Sequence, residues 1–399
     1  MNRNYNKINF RLLALLIVVQ LTADFSYSQT DISGGEIKGK WALSDSPFLI
    51  HGEVTIPNGE TLEIEPGVSI VFEGHYKLNV QGRILAVGSR EAMIKFTAQD
   101  TILGWHGLRF NKTSPVNDSS KIVYCQISHG KAVGESNIDR CGGAIFIRNF
   151  DKLIISHCSL MNNETDGDQF TGGGGIFIDN SSPNIEGNYL SNNKAIGGHG
   201  GGICIFYKES SPVVINNTIT NNEAFGGGGI ACYLCNPLMI NNTIANNGFC
   251  DHGGGLDFID SSPTFINTII YGNMASTGSQ IHVGTFNGPT SEPNFLYCNI
   301  ENGKKSFARD HSPGGEFKGR YEHIIDLDPM FIEADISNFR LSDSSPCIGK
   351  GVGSITIDNR IITAPSTDFD GKERPESSES KPDIGAFENN LGNPGVLEK

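Results

Sequence analysis

Apart from one stretch near its start, this chain of 399 residues has no long apolar run, so it offers no set of membrane-spanning helices. Its glycine-rich repeats carry no helical apolar stripe of ten or more residues, which argues against an α-helical bundle. They also lack a basic cluster. With 44 acidic against 30 basic side chains and a formal net charge of −14, the chain does not carry the phosphate-binding patch of a nucleic-acid partner. Cys232 and Cys235 stand without the second pair that a zinc site would need, and no complete catalytic motif is present.

What the chain has instead is glycine, 49 of them, gathered into a recurring phrase. Gly172-Gly-Gly-Gly-Ile-Phe-Ile-Asp-Asn-Ser-Ser-Pro183 runs on to Asn192-Asn193, and similar phrases begin at Gly142, Gly200, Gly227 and Gly253. The first apolar residue after each glycine run is Ile145, Ile176, Ile203, Ile230 and Leu256, at steps of 31, 27, 27 and 26 residues. A regular period of this size marks stacked structural units. Within each unit apolar residues alternate, as in Ile176 and Ile178 or Ile203 and Ile205, which is the signature of a strand. Ser-Ser-Pro and the glycines punctuate the strands as turns. One coil of short strands per repeat describes an all-β fold, a parallel β-helix.

Stacking predicts columns. Ile127, Leu160, Leu190, Ile219, Ile244, Ile270 and Ile300 form one apolar column, with Cys125, Cys158, Asn188, Asn217, Asn242 and Cys298 beside it. Asn163, Asn193, Asn222, Asn247 and Asn273 form another. A buried amide needs a partner, and the next amide in the stack supplies it. These positions are therefore expected to be an internal ladder, and the nine cysteines mostly free, buried thiols.

Residues 1–28 read as a secretory signal. Arg3, Lys7 and Arg11 precede the apolar run Leu12 to Leu21, and Ser26-Tyr27-Ser28 supplies a small-x-small cleavage pattern. Export to an extracellular, periplasmic or cell-surface location follows, with no membrane span after cleavage. Residues 29–349 are expected to form the β-helix and 350–399 an irregular C-terminal cap and tail. Asn302 to Ile325 is polar and locally cationic, and is expected as a loop leaving the stack.

The opening coils carry a resemblance. Gly59-Glu-Thr-Leu-Glu-Ile-Glu-Pro-Gly-Val-Ser-Ile-Val-Phe72, Leu78-Asn-Val-Gln-Gly82 and Gly104-Trp-His-Gly-Leu-Arg-Phe110 resemble the start of secreted bacterial right-handed parallel β-helix proteins of the pectate-lyase-like superfamily. The resemblance extends over most of the chain after residue 28. It implies the fold, and it admits lyases, hydrolases, epimerases and adhesins alike. Gly198-His199-Gly200 is similar to an element of polygalacturonases, but that family's paired Asp-Asp and Arg-Ile-Lys elements are missing, so glycoside hydrolysis is not carried over. A lyase of this superfamily would need a cationic base near an acid or a calcium ion, which selects Arg148, Lys208 and Asp179 as catalytic candidates.

On the strand after the glycines, the outward positions hold Phe146, Phe177, Phe206 and Tyr233, with Asp257 and His282 further along. Aromatic rings present flat apolar faces to the CH faces of sugars. This row is expected either to bind a polysaccharide or to be an aromatic ladder covered by Asn302 to Ile325. A second strip at the turn before the glycines contains Glu164, Asp166, Asp168, His199, Glu223, Asp251 and His252. Solvated turn charges account for such a strip; were it a metal site, Asp166, Asp168 and Asp251 would suit Ca2+. The expected protein is thus a monomer that binds a polysaccharide or glycan, as a lyase or as a carrier of binding only. The alternative is a non-catalytic extracellular spacer.

Overall fold

A computed structural model describes residues 29–207, 210–248, 250–286, 291–310, 317–376 and 380–391. The secretory segment and Lys208 lie outside them. Among the described residues, three parallel sheets of eleven strands each, and a fourth of six, wind around one axis. The chain is a right-handed parallel β-solenoid with almost no helix.

Register follows the repeat. Ile145 pairs with Ile176, Ile176 with Ile203, Ile203 with Ile230, Ile230 with Leu256 and Leu256 with Ile281. These side chains point inward and are fully buried. Inward apolar residues of the three long sheets join in one core cluster and leave water together, which is the main stabilising term. Glycine at the corner lets the coils approach. A side chain at Gly202 would put its Cβ 2.6 Å from the carbonyl oxygen of Gly229 and 2.8 Å from the Ile219 Cγ2 methyl.

The Asn-Asn pairs divide their work. The first of each pair bends the chain: Asn192, Asn221 and Asn246 hold φ of +54°, +55° and +56°, the left-handed region that asparagine tolerates better than most residues. The second turns inward. Asn222 Oδ1 accepts the backbone N–H of Asn193 at 3.0 Å and its amide at 3.0 Å. Asn222 Nδ2 donates to Leu190 O at 3.1 Å and Asn247 Oδ1 at 2.9 Å. A second ladder runs Cys158, Asn188, Asn217, Asn242, each backbone N–H donating to the next amide oxygen at 2.9 Å. The turns before proline add shorter links, Ser181 N–H donating to Ser210 Oγ at 3.1 Å and Ser261 N–H to Ser291 Oγ at 2.8 Å. All nine cysteines are buried and unpaired, and burial pushes the Cys298 thiol up to about 12.

Two segments depart from expectation. Within Asn302 to Ile325, expected as a loop, Phe307–Arg309 pairs with Ile281–Gly284 and Tyr321–Glu322 with Asn294–Leu296; residues 311–316 lie outside the described residues. Arg309 pairs with Glu292 at 2.9 Å, while Phe307, Phe317 and Tyr321 pack against Phe295 in the core. Polarity alone could not separate an excursion from a coil with a charged outer face. The C-terminal segment, expected as a cap from residue 350, lies along the side of the solenoid. Ile240, Ile266 and Leu296, Ile269, and Ala245 are outward apolar residues, and Ile357, Leu341, Ile348, Phe339 and Phe387 cover them. Its polar anchors are Asn216, Asn241 and Asn267, whose amides donate to the carbonyls of Thr367, of Asp383 and Gly385, and of Val352.

Candidate functional site

The four outward aromatics do form a row. Ring centroids lie 5.7 Å apart for Phe146 and Phe177, 5.5 Å for Phe177 and Phe206, and 4.6 Å for Phe206 and Tyr233. Of the two alternatives, an open face and a covered ladder, Phe146, Phe177 and Phe206 follow the covered one. Phe146 is 1% exposed, Phe177 5% and Phe206 8%, because ring covers ring and a strap covers the end. The strap is the short 3-10 turn Asn137–Arg140 with Cys141, and no described residue of Asn302 to Ile325 belongs to this cluster. Arg109 holds it down. Its guanidinium lies 4.3 Å from the Phe146 ring centroid and donates to Cys141 O at 2.6 Å and Gly142 O at 3.1 Å.

Arg148 and Asp179 are brought together beside this row, Nε to Oδ2 at 2.8 Å. They border an opening of about 220 Å³. Burial raises the Asp179 pKa, and Arg148 opposes the rise. The Arg148 guanidinium is thus engaged by a carboxylate of the next coil. Asp166 and Asp251 are exposed, and Asp168 Oδ1 caps the backbone N–H of Phe170 at 2.9 Å. The three carboxylates do not converge on a common point.

Convergence occurs elsewhere, at Asp257. This side chain is fully buried on the strand Leu256–Ile259, and the next coil places His282 beside it in register. His282 Nδ1 lies 2.7 Å from Asp257 Oδ1, and His282 Nε2 3.2 Å from Asp310 Oδ1. The other oxygen, Oδ2, faces His199 Nδ1 at 3.2 Å and His252 Nε2 at 3.5 Å, and accepts the Tyr233 hydroxyl at 3.2 Å. His199 and His252 come from the fourth sheet, on the strands Lys194–His199 and Cys250–His252. The corner between the two sheets folds the turn strip onto the strand row. Burial opposes ionisation of Asp257, but the hydrogen bonds from His199, His252 and His282 outweigh it and hold the carboxyl well below the usual carboxylate range. Burial likewise opposes a charged His282, and its bonds to Asp257 and Asp310 more than restore it.

Above this floor opens a cavity of about 350 Å³, lined among others by His199, His252, His282, Phe206, Tyr233 and Asp310. Its rim is aromatic and exposed: Phe170 52%, Tyr207 51%, Phe225 42% and Phe286 69%. Of the residues proposed from sequence, Tyr233, Asp257, His282 and Phe206 belong to this place, and His199 and His252 join them from the second strip. Asp310 and the rim had no repeat partner to mark them; Asp310 lies in a coil too irregular to align. Lys208 lies outside the described residues, next to Tyr207.

Among the described residues no helix is long and apolar enough to cross a membrane. A stretch of 76 residues, 18% of this chain, is 37% identical to Protein bark beetle of Drosophila melanogaster. The match spans 2% of that protein's length. Residues 116–296 match the family described as the right handed beta helix region. With three eleven-stranded parallel sheets in register, this makes the chain a right-handed β-helix repeat protein.

Proposed function

We propose that the protein is exported and binds a glycan in the cavity above Asp257. The observation that carries this reading is the exposed aromatic rim of Phe170, Tyr207, Phe225 and Phe286 around a floor of fixed polar groups. Four large rings left in water on one side of a solenoid are unusual for a surface without a ligand. They offer faces to the CH side of a sugar, while His252 and Asp310 offer donors and acceptors to hydroxyls. The earlier candidates Phe146 and Phe177 then support the rim from below and do not touch the ligand. With Arg148 engaged by Asp179, the reading is one of binding, with no reaction attached.

Replacing Tyr207 and Phe225 together with alanine should weaken binding about tenfold or more, at ~1 kcal/mol per aromatic contact and 1.4 kcal/mol per decade. Both rings are exposed, so the fold should survive. Affinity electrophoresis on plant, algal and host glycans reads this directly, and added salt should change it little. If no glycan retards the wild type, the spacer reading becomes the better one.

A further inference from the structure

The floor of the cavity also has the donor set of a metal site, and this does not depend on what the cavity binds. His199 Nδ1 and His252 Nε2 approach the same oxygen, Asp257 Oδ2, at 3.2 and 3.5 Å. The three atoms lie within 4.8 Å of one another, and no other group of three His, Cys, Asp or Glu among the described residues does this. Around a tetrahedral zinc ion with bonds of ~2.0–2.1 Å, neighbouring ligand atoms stand ~3.3–3.4 Å apart. The two separations match that edge. As a hydrogen bond, by contrast, the 3.5 Å contact of His252 is at the outer limit.

An independent observation comes from Gly226. A Cβ built there would stand 2.5 Å from His252 Nε2, 2.7 Å from His199 Nδ1 and 2.8 Å from Asp257 Oδ2. Gly226 does not have a positive φ, so its backbone conformation does not demand glycine. What excludes a side chain is a space faced by three donor atoms. Behind them, His282 Nδ1 bonds the free oxygen of Asp257 at 2.7 Å and Asp310 steadies His282 from its other nitrogen at 3.2 Å. Such outer partners orient metal-binding carboxylates.

We propose that His199, His252 and Asp257 bind one divalent first-row transition-metal ion, with zinc the best match, facing the cavity. Two imidazoles and one carboxylate suit zinc. Calcium, which takes six to eight oxygens, does not fit this set, and none of Asp166, Asp168 and Asp251 belongs to it.

The test is titration of the chelator-treated full chain with Co2+, followed by visible absorption, then competition with Zn2+. One equivalent should bind with the absorption of a four-coordinate ion, and zinc should displace it and raise the melting temperature. His252→Gln and Gly226→Ala should each weaken binding at least 30-fold. His252 is partly exposed, so this variant keeps the test open if Gly226→Ala fails to fold. His51→Ala is the control: His51 stands between Asp31 and Glu73 at 2.7 and 3.0 Å near the other end, and its loss should leave binding unchanged. Absence of stoichiometric binding, binding that survives His252→Gln, or binding lost with His51→Ala would each overturn the proposal.

Discussion

Replacing Asn222 with leucine should cost about 3 kcal/mol of stability, while replacing its neighbour Asn221 with glycine should cost under about 1 kcal/mol. The two residues are adjacent and identical in type, yet they do different things. Asn222 is fully buried and links three coils. Without its amide, the Asn193 N–H, the Asn193 amide and Leu190 O lose partners at 3.0, 3.0 and 3.1 Å. Each orphaned buried group costs ~1–3 kcal/mol, and the added burial of leucine recovers part of the total. Asn221 sits at φ +55°, where glycine is at ease. Urea denaturation of both variants checks the contrast. Equal midpoints would mean that the ladder carries no stability.

Arg374→Met should loosen the C-terminal segment by about 3–5 kcal/mol at pH 7.5, the range for breaking a buried ion pair from one side. Arg374 Nε donates to Glu388 Oε2 at 2.9 Å, with neither side chain exposed, and Nη1 donates to Asn216 Oδ1 at 2.8 Å on the solenoid wall. One residue therefore ties the segment to itself and to the β-helix. Burial, then repulsion from Asp383, pushes Glu388 up to about 7, and burial pushes Asp383 up to about 6. Both folded pKa values are raised. Their contribution is therefore fully present below the unfolded carboxylate pKa of ~4 and is lost as pH rises through about 6 to 7. At pH 5 both carboxyls are largely protonated, so removing Arg374 should cost much less there. Amide hydrogen exchange resolves the segment from the rest. Protection over residues 326–391 should fall 100-fold or more at pH 7.5, with residues 54–300 nearly unchanged. Uniform loss across the chain would show that the segment and solenoid unfold as one.

The repeat made the solenoid legible because stacking multiplies each signal. One asparagine says little, but five at one phase specify a ladder. The serine links between coils were hidden because a turn explains those residues well enough. The site was legible only in pieces. Asp257 and His282 fell on the strand row, His199 and His252 on the turn strip, and alternation along a strand cannot say how sharply the corner between two sheets closes. What covers Phe146 and Phe177 escaped for a different reason. It depends on Arg109, one coil earlier, reaching over the ring to carbonyls of a non-repeating strap. Composition misled around Phe307 and Tyr321, where neighbouring charges concealed two rings that pack against the core.

Calorimetric titration with a graded series of oligosaccharides, from the glycan that retards the protein most, tests the glycan cavity most directly. A cavity of about 350 Å³ ringed by Tyr207 and Phe225 should reach its full affinity with a short oligomer, and Tyr207→Ala/Phe225→Ala should reduce that affinity about tenfold or more. Affinity that kept rising with each added sugar, unchanged in the double variant, would place the ligand along another face and contradict the cavity as the binding site.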